Sequence, residues 1–394
     1  MKCNICNSKF LKKFIDLGYQ PLANKYPKNK IEIKKEPKYK LDLLFCSNCL
    51  NVKIKRLVDR KKMFEEYFYL SSVNLQLVNH FRKLAKVFKK KDFVLDIGSN
   101  DGIFLKELKS LGIKHLGVDP SYNVAKIANN KGLKTIVGFF NKKVSDRILK
   151  NYGQPNIIVA SSIFTHLENP KEFISNIKNL LHIDGTFILE IEYLAKFIKN
   201  IEFERFYFDR PYYYSIKSID ILVNSLGMSL VKVEEINPHG GSIRCYIKNK
   251  SKLNKDKKTK NLISKEKNQL NLKILEKFKH KINIETKILK NKISYFKKQK
   301  KRIIGYGSPA RLATITNLCK LNNTDISFVI DDSPLKQNRY TPGMHIPIKK
   351  FDEIKKFKPD IIIVFAHEYF SDIKQKTKFI KCKYYKPIPF KILR

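Results

Sequence analysis

An α/β protein is predicted, with a small cysteine-paired domain first, a doubly wound domain next, then a helical linker and a second Rossmann-like unit. Three features carry this expectation. Two Cys-x-x-Cys pairs open the chain, Cys3 with Cys6 and Cys46 with Cys49. Strand and helix patterns then alternate, as they do where helices wind over a parallel sheet. Glycine-bearing turns end two separate apolar runs, "VLDIGSNDG" and "IIGYGSPAR". At 394 residues the chain exceeds one ordinary core, so two or three domains are expected.

Residues 1–60 form the first expected domain, with the cysteines set among short strand-like runs such as "KLDLLF" and "NVKIKRL". Two such knuckles can deliver four thiolates to one Zn²⁺ at about 2.3 Å each. Four protein ligands leave no open position, so the zinc would be structural. The gap between the pairs is longer than in the usual zinc ribbon, and redox-active or unliganded thiols are the other reading. Cys245, Cys319 and Cys382 are isolated and read as ordinary buried cysteines. This usage suits a reducing cytosol, and "MKCNICNSKF" lacks the apolar segment of a secretory signal, so a cytoplasmic location is expected.

Residues 61–250 form the second. A helical stretch to residue 90 leads into "KDFVLDIGSNDGIFLKELKSLGIKHLGVDP", a strand, turn, helix and second strand; "PNIIVASSIF", "GTFILEIE" and "MSLVKVEEI" continue the alternation. The turn places Asp96, Gly98, Ser99, Asn100 and Gly102 at the C-terminal end of a strand, where a doubly wound sheet binds its ligand. Asp119, ahead of Pro120 in "GVDP", ends the next strand, where a carboxylate can accept both hydroxyls of a ribose. Asp101 in the turn would repel a pyrophosphate. A cationic, phosphate-free ligand such as S-adenosylmethionine suits the loop better, with Ser162 as a further contact; a tight turn with no ligand is the plain alternative.

Residues 251–394 hold the linker and the last domain. From 251 to 300 the chain is rich in Lys, has no Gly or Pro, and spaces Leu262, Leu270, Ile274, Leu275, Phe278, Ile282, Ile288, Leu289 and Phe296 near the helical period. Alternation restarts with "KRIIGYGSPARLATITNL", "ISFVIDD" and "PDIIIVFA". Gly305, Gly307 and Arg311 could hold a phosphate ahead of the helix, although a lone Gly-x-Gly is common. The formal charge of +44 is spread along the whole chain, and no recognisable nucleic-acid module appears. Specific nucleic-acid binding is therefore not expected, whereas attraction of anionic substrates such as nucleotide diphosphates is. No apolar run approaches the ~18–20 residues of a membrane span.

The order of motifs resembles the bacterial sugar C-methyltransferases of deoxysugar biosynthesis over nearly the full chain. The resemblance rests on "CNIC", "DLGYQPLAN", "CSNC", "YFYLSS", "VLDIGSNDGIFL", "FTHLENP", "PHGGSIR", "GYGSPAR" and "VIDDSPLKQNRYTPGMHIPI". It implies a zinc-bearing N-terminal domain, a class I methyltransferase domain and a C-terminal Rossmann-like domain. A nucleotide-linked 4-keto sugar would lie in the cleft among them, for surface-polysaccharide or deoxysugar biosynthesis. The implied chemistry removes a proton beside a ketone, stabilises the enolate oxygen, and lets the enolate attack the sulfonium methyl in line.

In that family the base is a His in a Tyr-His-Glu-His run, followed by a Tyr-rich stretch ending in Ser. Here the matching stretch is "FYFDRPYYYS", residues 206–215. Tyr207 keeps the family Tyr, and Tyr213 and Ser215 keep the downstream positions, but Phe208, Asp209 and Arg210 replace His, Glu and His. A guanidinium does not lose its proton near neutral pH, so the base must be sought elsewhere. Asp209 could serve if burial raised its pKa. His166 in "FTHLENP" matches a family His near the reaction centre, and Tyr69 in "YFYLSS" matches a family Tyr lining the site. His239, Gly240, Gly241 and Arg244 of "PHGGSIR" are expected on the substrate side. Arg210 could clamp a substrate anion or pair locally with Asp209. C-methylation leads; a sugar O-methyltransferase with an altered acceptor site, or a scaffold that lost turnover, are the alternatives.

Overall fold

The computed structural model describes residues 1–59, 63 and 71–394. The first sheet is antiparallel: β1 (Leu11–Pro21), β2 (Lys38–Cys46) and β3 (Val52–Ile54). β1 escapes a simple alternation rule because its register slips twice against β2, between Lys13 and Ile15 and between Asp16 and Tyr19. Each cysteine knuckle closes in the same way. The Asn7 N–H donates to the Cys3 carbonyl (2.9 Å) and the Leu50 N–H to the Cys46 carbonyl (2.8 Å), with both closing residues at positive φ. The four sulfurs then lie within 4.8 Å of one another, with Cys3–Cys49 at 3.7 Å and Cys6–Cys46 at 3.6 Å. A tetrahedron with 2.3 Å metal–sulfur bonds has edges of about 3.8 Å, so the quartet fits Zn²⁺.

The central sheet begins with five parallel strands, β4 (Phe93–Ile97), β5 (Lys114–Asp119), β6 (Thr135–Val137), β7 (Ile157–Ser161) and β8 (Thr186–Glu192). The short β9 (Tyr212–Tyr213) leaves this sheet and pairs with β3. β10 (Ser229–Ile236) and β11 (Ser242–Lys248) then add antiparallel strands, for a spatial order β10-β11-β8-β7-β4-β5-β6. β4 is buried along its whole length, which is why it reads as an unbroken apolar run interrupted only by Asp96. Because β4 bonds both β5 and β7, the winding direction changes beside it and opens a crevice at the strands' C-terminal ends.

The linker forms two helices, Lys257–Gln269 and Leu272–Lys298, the second capped by the Asn271 side chain. Leu275, Phe278, Ile282, Leu289, Ile293 and Phe296 make its buried stripe, whereas Ile288 falls off the stripe and turns outward. From the first of these helices, Glu266 reaches the N-terminus of helix Ile216–Asn224, accepting from the Ile216 (2.6 Å) and Lys217 (2.9 Å) N–H groups. The last domain packs β12 (Ile303–Tyr306), β13 (Val329–Ile330), β14 (Ile348–Lys349), β15 (Ile361–Val364), β16 (Lys383–Lys386) and β17 (Lys391–Leu393) in the order β14-β13-β12-β15-β16-β17. All pairs are parallel except β16 with β17. Gly307, at φ +82°, follows β12 where a Cβ would stand 2.4 Å from the Cβ of Ala366.

The protein is expected to bind one zinc per chain. Cys46→Ala should abolish stoichiometric zinc and lower the melting temperature by about 5 °C or more, as metal analysis and a thermal melt would show. Full metal-free stability in that variant would refute a structural zinc.

Candidate active site

The turn after β4 uses three residues at positive φ: Gly98 (+81°), Asn100 (+50°) and Gly102 (+81°). At Gly98 a Cβ would lie 2.2 Å from Ile163 Cγ2, so only glycine lets this turn pass beneath the loop after β7. Asp119, buried at the end of β5, ties the crevice floor together. Its Oδ2 accepts from the Asn100 N–H and its Oδ1 from the Ser121 N–H, both at 2.9 Å. Asp96 is buried within β4, and burial, then Asp119, then Glu190, push its carboxyl up to about 8. Ser99 is buried and its hydroxyl has no hydrogen-bond partner among the described residues. Pro120 is exposed beyond β5, and Ser162, at φ +60°, donates its N–H to the Glu190 carbonyl (2.9 Å).

These residues fit S-adenosylmethionine: a sulfonium cation gains from buried carboxylates, and the Ser99 hydroxyl gains a partner. Asp101 also has a structural part. Its carboxylate binds the Ser72 hydroxyl and N–H, while Asn100 Oδ1 accepts from the Ser71 N–H (3.0 Å). The turn is thus clasped from above by residues 71–72.

β8 supplies two buried carboxylates on one face, Glu190 and Glu192. Glu190 accepts from His80 Nε2 (2.9 Å), Ser161 Oγ (2.7 Å) and Nε of Arg244 (2.7 Å), which stands directly opposite it on β11. Burial alone would raise the Glu190 carboxyl, but the hydrogen bond and charge of His80 and the charge of Arg244 outweigh it and set it at about 2. Glu192 forms an ion pair with Arg210. Both side chains are at least nine-tenths buried, and Arg210 also stacks over the Tyr207 ring, 5.0 Å from its centroid. Nε and Nη1 of Arg210 have no hydrogen-bond partner among the described residues.

Instead of the expected local pairing with Asp209, Arg210 pairs with Glu192; Asp209 and Arg210 sit at a turn in which the Arg210 N–H donates to the Tyr207 carbonyl (3.2 Å). The Asp209 carboxylate accepts instead from Asn24 Nδ2 (2.7 Å), a residue of the first domain. The Asp209 carbonyl lies 2.7 Å from His166 Nδ1. A carbonyl only accepts, so Nδ1 carries a proton, and in the neutral ring the lone pair is on Nε2. The Tyr213 hydroxyl accepts from the Tyr207 N–H (2.9 Å) and donates to the Tyr207 carbonyl (3.1 Å), fixing the segment that carries Asp209 and Arg210.

The remaining expected residues fall in several places. Tyr69 lies outside the described residues, as does the side chain of His239, whose backbone sits in the short turn Pro238–Gly240. Gly240 (φ +80°) and Gly241 (φ +131°) pass close to Arg205 and Lys196. Arg244 is committed to Glu190 and reaches Glu234 (3.6 Å). Gly305 and Gly307 flank the turn into helix Ala310–Cys319, where Arg311 is buried and paired with Glu368. Sequence reasoning missed His80, Glu190, Glu192, Arg205 and Glu368. "ILEIE" did carry a signal for two of them, since acidic residues at i and i+2 of an otherwise apolar strand must find buried partners.

Sheet order, glycine turn and acidic strand end define a class I S-adenosylmethionine-dependent methyltransferase, here with an N-terminal zinc-binding domain. Three family models follow one another along the chain: a zinc binding domain over residues 3–64, a methyltransferase domain over 69–233, and a C-methyltransferase C-terminal domain over 237–389. Together they span nearly all of it, so the zinc-binding, methyltransferase and C-methyltransferase C-terminal domains follow one another along the chain. It is 25% identical over 386 residues to C-methyltransferase NovU of Streptomyces niveus, covering 96% of this chain and 92% of that one.

Similar solved structures include a SAM-dependent methyltransferase from Archaeoglobus fulgidus, with 21% identity, 45% of this chain and 78% of that chain covered, and a TM-score of 0.37. Another is magnesium protoporphyrin IX methyltransferase from Synechocystis with bound SAM, with 14% identity, 44% and 78% covered, and a TM-score of 0.33. Among the described residues no helix is long and apolar enough to cross a membrane.

Asp96 yields a pH prediction. With its carboxyl near 8, it is mostly protonated at pH 7, whereas a bound cation favours the ionised form. S-adenosylmethionine binding should therefore release up to one proton, and affinity should rise between pH 6 and 8 by up to about ten-fold per unit, then level off. Calorimetry in buffers of different ionisation enthalpy would measure this; Asp96→Asn should remove the slope, and a pH-independent wild-type affinity would contradict the assignment.

Proposed function

We propose that the protein C-methylates a nucleotide-linked keto sugar at the carbon beside its ketone, with His166 as the base and Arg210 holding the enolate oxygen. The observation that carries this reading is the His166–Asp209–Arg210 arrangement: a histidine whose Nδ1 is held by the Asp209 carbonyl, beside a residue with a buried guanidinium that has two unpartnered nitrogens, Nε and Nη1. The nucleotide-linked sugar is supported by the family resemblance and by the positive charge, which favours an anionic carrier.

S-adenosylmethionine, when bound, supplies the methyl group as a cation whose leaving group is neutral. Asp96, Gly98, Ser99, Asn100, Gly102 and Asp119 hold it in this reading, with Pro120 and Ser162 at the rim. His166 Nε2 takes the proton from the substrate carbon, and the Asp209 carbonyl accepts from Nδ1–H of the imidazolium that results. The electron pair released from that C–H bond moves onto the ketone oxygen, where Nε and Nη1 of Arg210 meet the growing negative charge. Glu192 neutralises Arg210 beforehand, so a neutral ketone enters a neutral site. A carboxylate acceptor would face Glu192 as well and is disfavoured.

Mass spectrometry in D₂O with a panel of 4-keto nucleotide sugars tests the reading. Wild type should form methylated product and exchange deuterium into unreacted substrate. His166→Gln should lose both by about 10²-fold or more, and Arg210→Met should lower kcat by about 10²–10³-fold with cofactor affinity unchanged. Full exchange in the His166 variant would remove it as the base.

A further inference from the structure

Two buried arginines meet between the methyltransferase and C-terminal domains. Arg205 ends the turn Phe203–Arg205, just ahead of Tyr207, and Arg311 lies in the first turn of helix Ala310–Cys319. Their side chains are only 7% and 9% exposed. Burial, then the charge of Arg205, hold the Arg311 guanidinium down at about 10. The anion between them is Glu368: its Oε1 accepts from Arg205 Nη2 at 2.8 Å, and its carboxylate pairs with Arg311. Glu368 stands on the three-residue turn His367–Tyr369 beyond β15 and is more exposed than either arginine.

One carboxylate does not satisfy this pair. Nε of Arg311 is buried with no hydrogen-bond partner among the described residues, and so is the hydroxyl of Ser308 in the turn just before it. The turn itself is held from behind: the Ser308 carbonyl accepts from the Tyr26 hydroxyl (2.7 Å) and from Lys336 Nζ (3.0 Å). Of the other charged and titratable neighbours, Glu202 takes Arg205 Nε (2.7 Å), and burial raises the Glu204 carboxyl to about 7. His367 Nε2 lies 3.4 Å from Arg311 Nη1, Tyr369 accepts from Asn74 Nδ2 (2.6 Å), and Lys386 adds a further positive charge facing Glu204 and Glu202. Gly240 closes the side nearest Arg205, where a Cβ would sit 2.6 Å from Nη2.

We propose that Glu368 is an internal anion occupying a two-arginine receptor for a diphosphate, and that the substrate's diphosphate displaces it. The substrate class rests on the nucleotide-linked sugar proposed above. A diphosphate brings two charges to two guanidiniums and more acceptor oxygens than a carboxylate, enough to engage Arg311 Nε and Ser308 Oγ as well. The exchange begins with rotation of the Glu368 side chain, which is more exposed than either arginine. Arg205 is two residues from Tyr207, and its charge is felt at both Tyr207 and Arg210, so a diphosphate held there directs the attached sugar toward the reaction centre.

Inorganic pyrophosphate is the probe, measured by calorimetry and by thermal shift on the full chain. Glu368→Gln should bind it roughly ten-fold tighter than wild type, and adding Arg311→Met should cancel the gain. Glu368→Gln removes the carboxylate that the two buried cations share, leaving Arg205 with Glu202 alone, so it should melt below wild type and recover more on adding pyrophosphate than wild type gains. Unchanged or weaker pyrophosphate binding, or a melt that pyrophosphate does not lift, overturns the proposal. S-adenosylmethionine binding by the same variants reads the other site independently. Its loss with tighter pyrophosphate binding would count against methyl transfer alone, whereas intact cofactor binding without a pyrophosphate gain would count against this receptor alone.

Discussion

Glu190 and Glu192 stand two residues apart on β8, on one face, and both are almost wholly buried. A carboxylate buried without a partner costs several kcal/mol, so each must draw a cation from another part of the chain. Glu190 draws Arg244 from β11 and His80 from helix Leu75–Ala85, joining the antiparallel extension of the sheet to the helix laid across it. Glu192 draws Arg210, which brings residues 206–215 over the strand ends. The crevice takes its walls from these two pairings, and its acidic floor, Asp96 and Asp119, comes from the strands beside them.

Residues 206–215 are wall, core and joint together. Tyr213 turns its hydroxyl onto Tyr207, while Tyr212 and Tyr214 face the other way with their rings 6.0 Å apart. β9 pairs with β3, the Asn51 side chain binds the Tyr213 carbonyl (3.0 Å), and the Ser215 hydroxyl binds the Cys49 carbonyl (2.9 Å). The cysteine knuckle therefore holds the end of the segment whose beginning carries Arg210. The same small domain also reaches the last one, where Glu36 accepts from the Gly343 N–H (2.9 Å) and pairs with His345 (2.7 Å). The small first domain thus touches both larger domains, through the cysteine knuckle on one side and Glu36 on the other.

What could be read from the chain follows from distance along it. The cysteine quartet, the turn after β4 and the acid ending β5 are local patterns, and each appears in the fold where its spacing placed it. Interactions that join distant segments were not legible. Arg210 finds Glu192 eighteen residues upstream, and Arg311 finds Glu368 fifty-seven residues downstream, with nothing in either neighbourhood naming the partner. The partner of Asp101 was equally out of reach: it is Ser72, twenty-nine residues before it. β1 was hidden differently, since two register slips break the period by which a strand is recognised.

The exchange of a base for a guanidinium at position 210 makes physical sense once Glu192 is included. A histidine there could both take the proton and, once charged, face the oxygen that turns negative. With arginine these two tasks separate. In the proposed reaction the lone pair belongs to His166, on the loop after β7, and the positive charge is permanent at Arg210. A permanent charge in a buried site needs its own counter-ion in the resting state, and Glu192 is that counter-ion. The pair then carries no net charge while the substrate is a ketone, yet in the proposed reaction Nε and Nη1 of Arg210 are kept for the oxygen at the moment charge develops there. The orientation of these groups is set before the substrate arrives, so little reorganisation is left to the reaction itself.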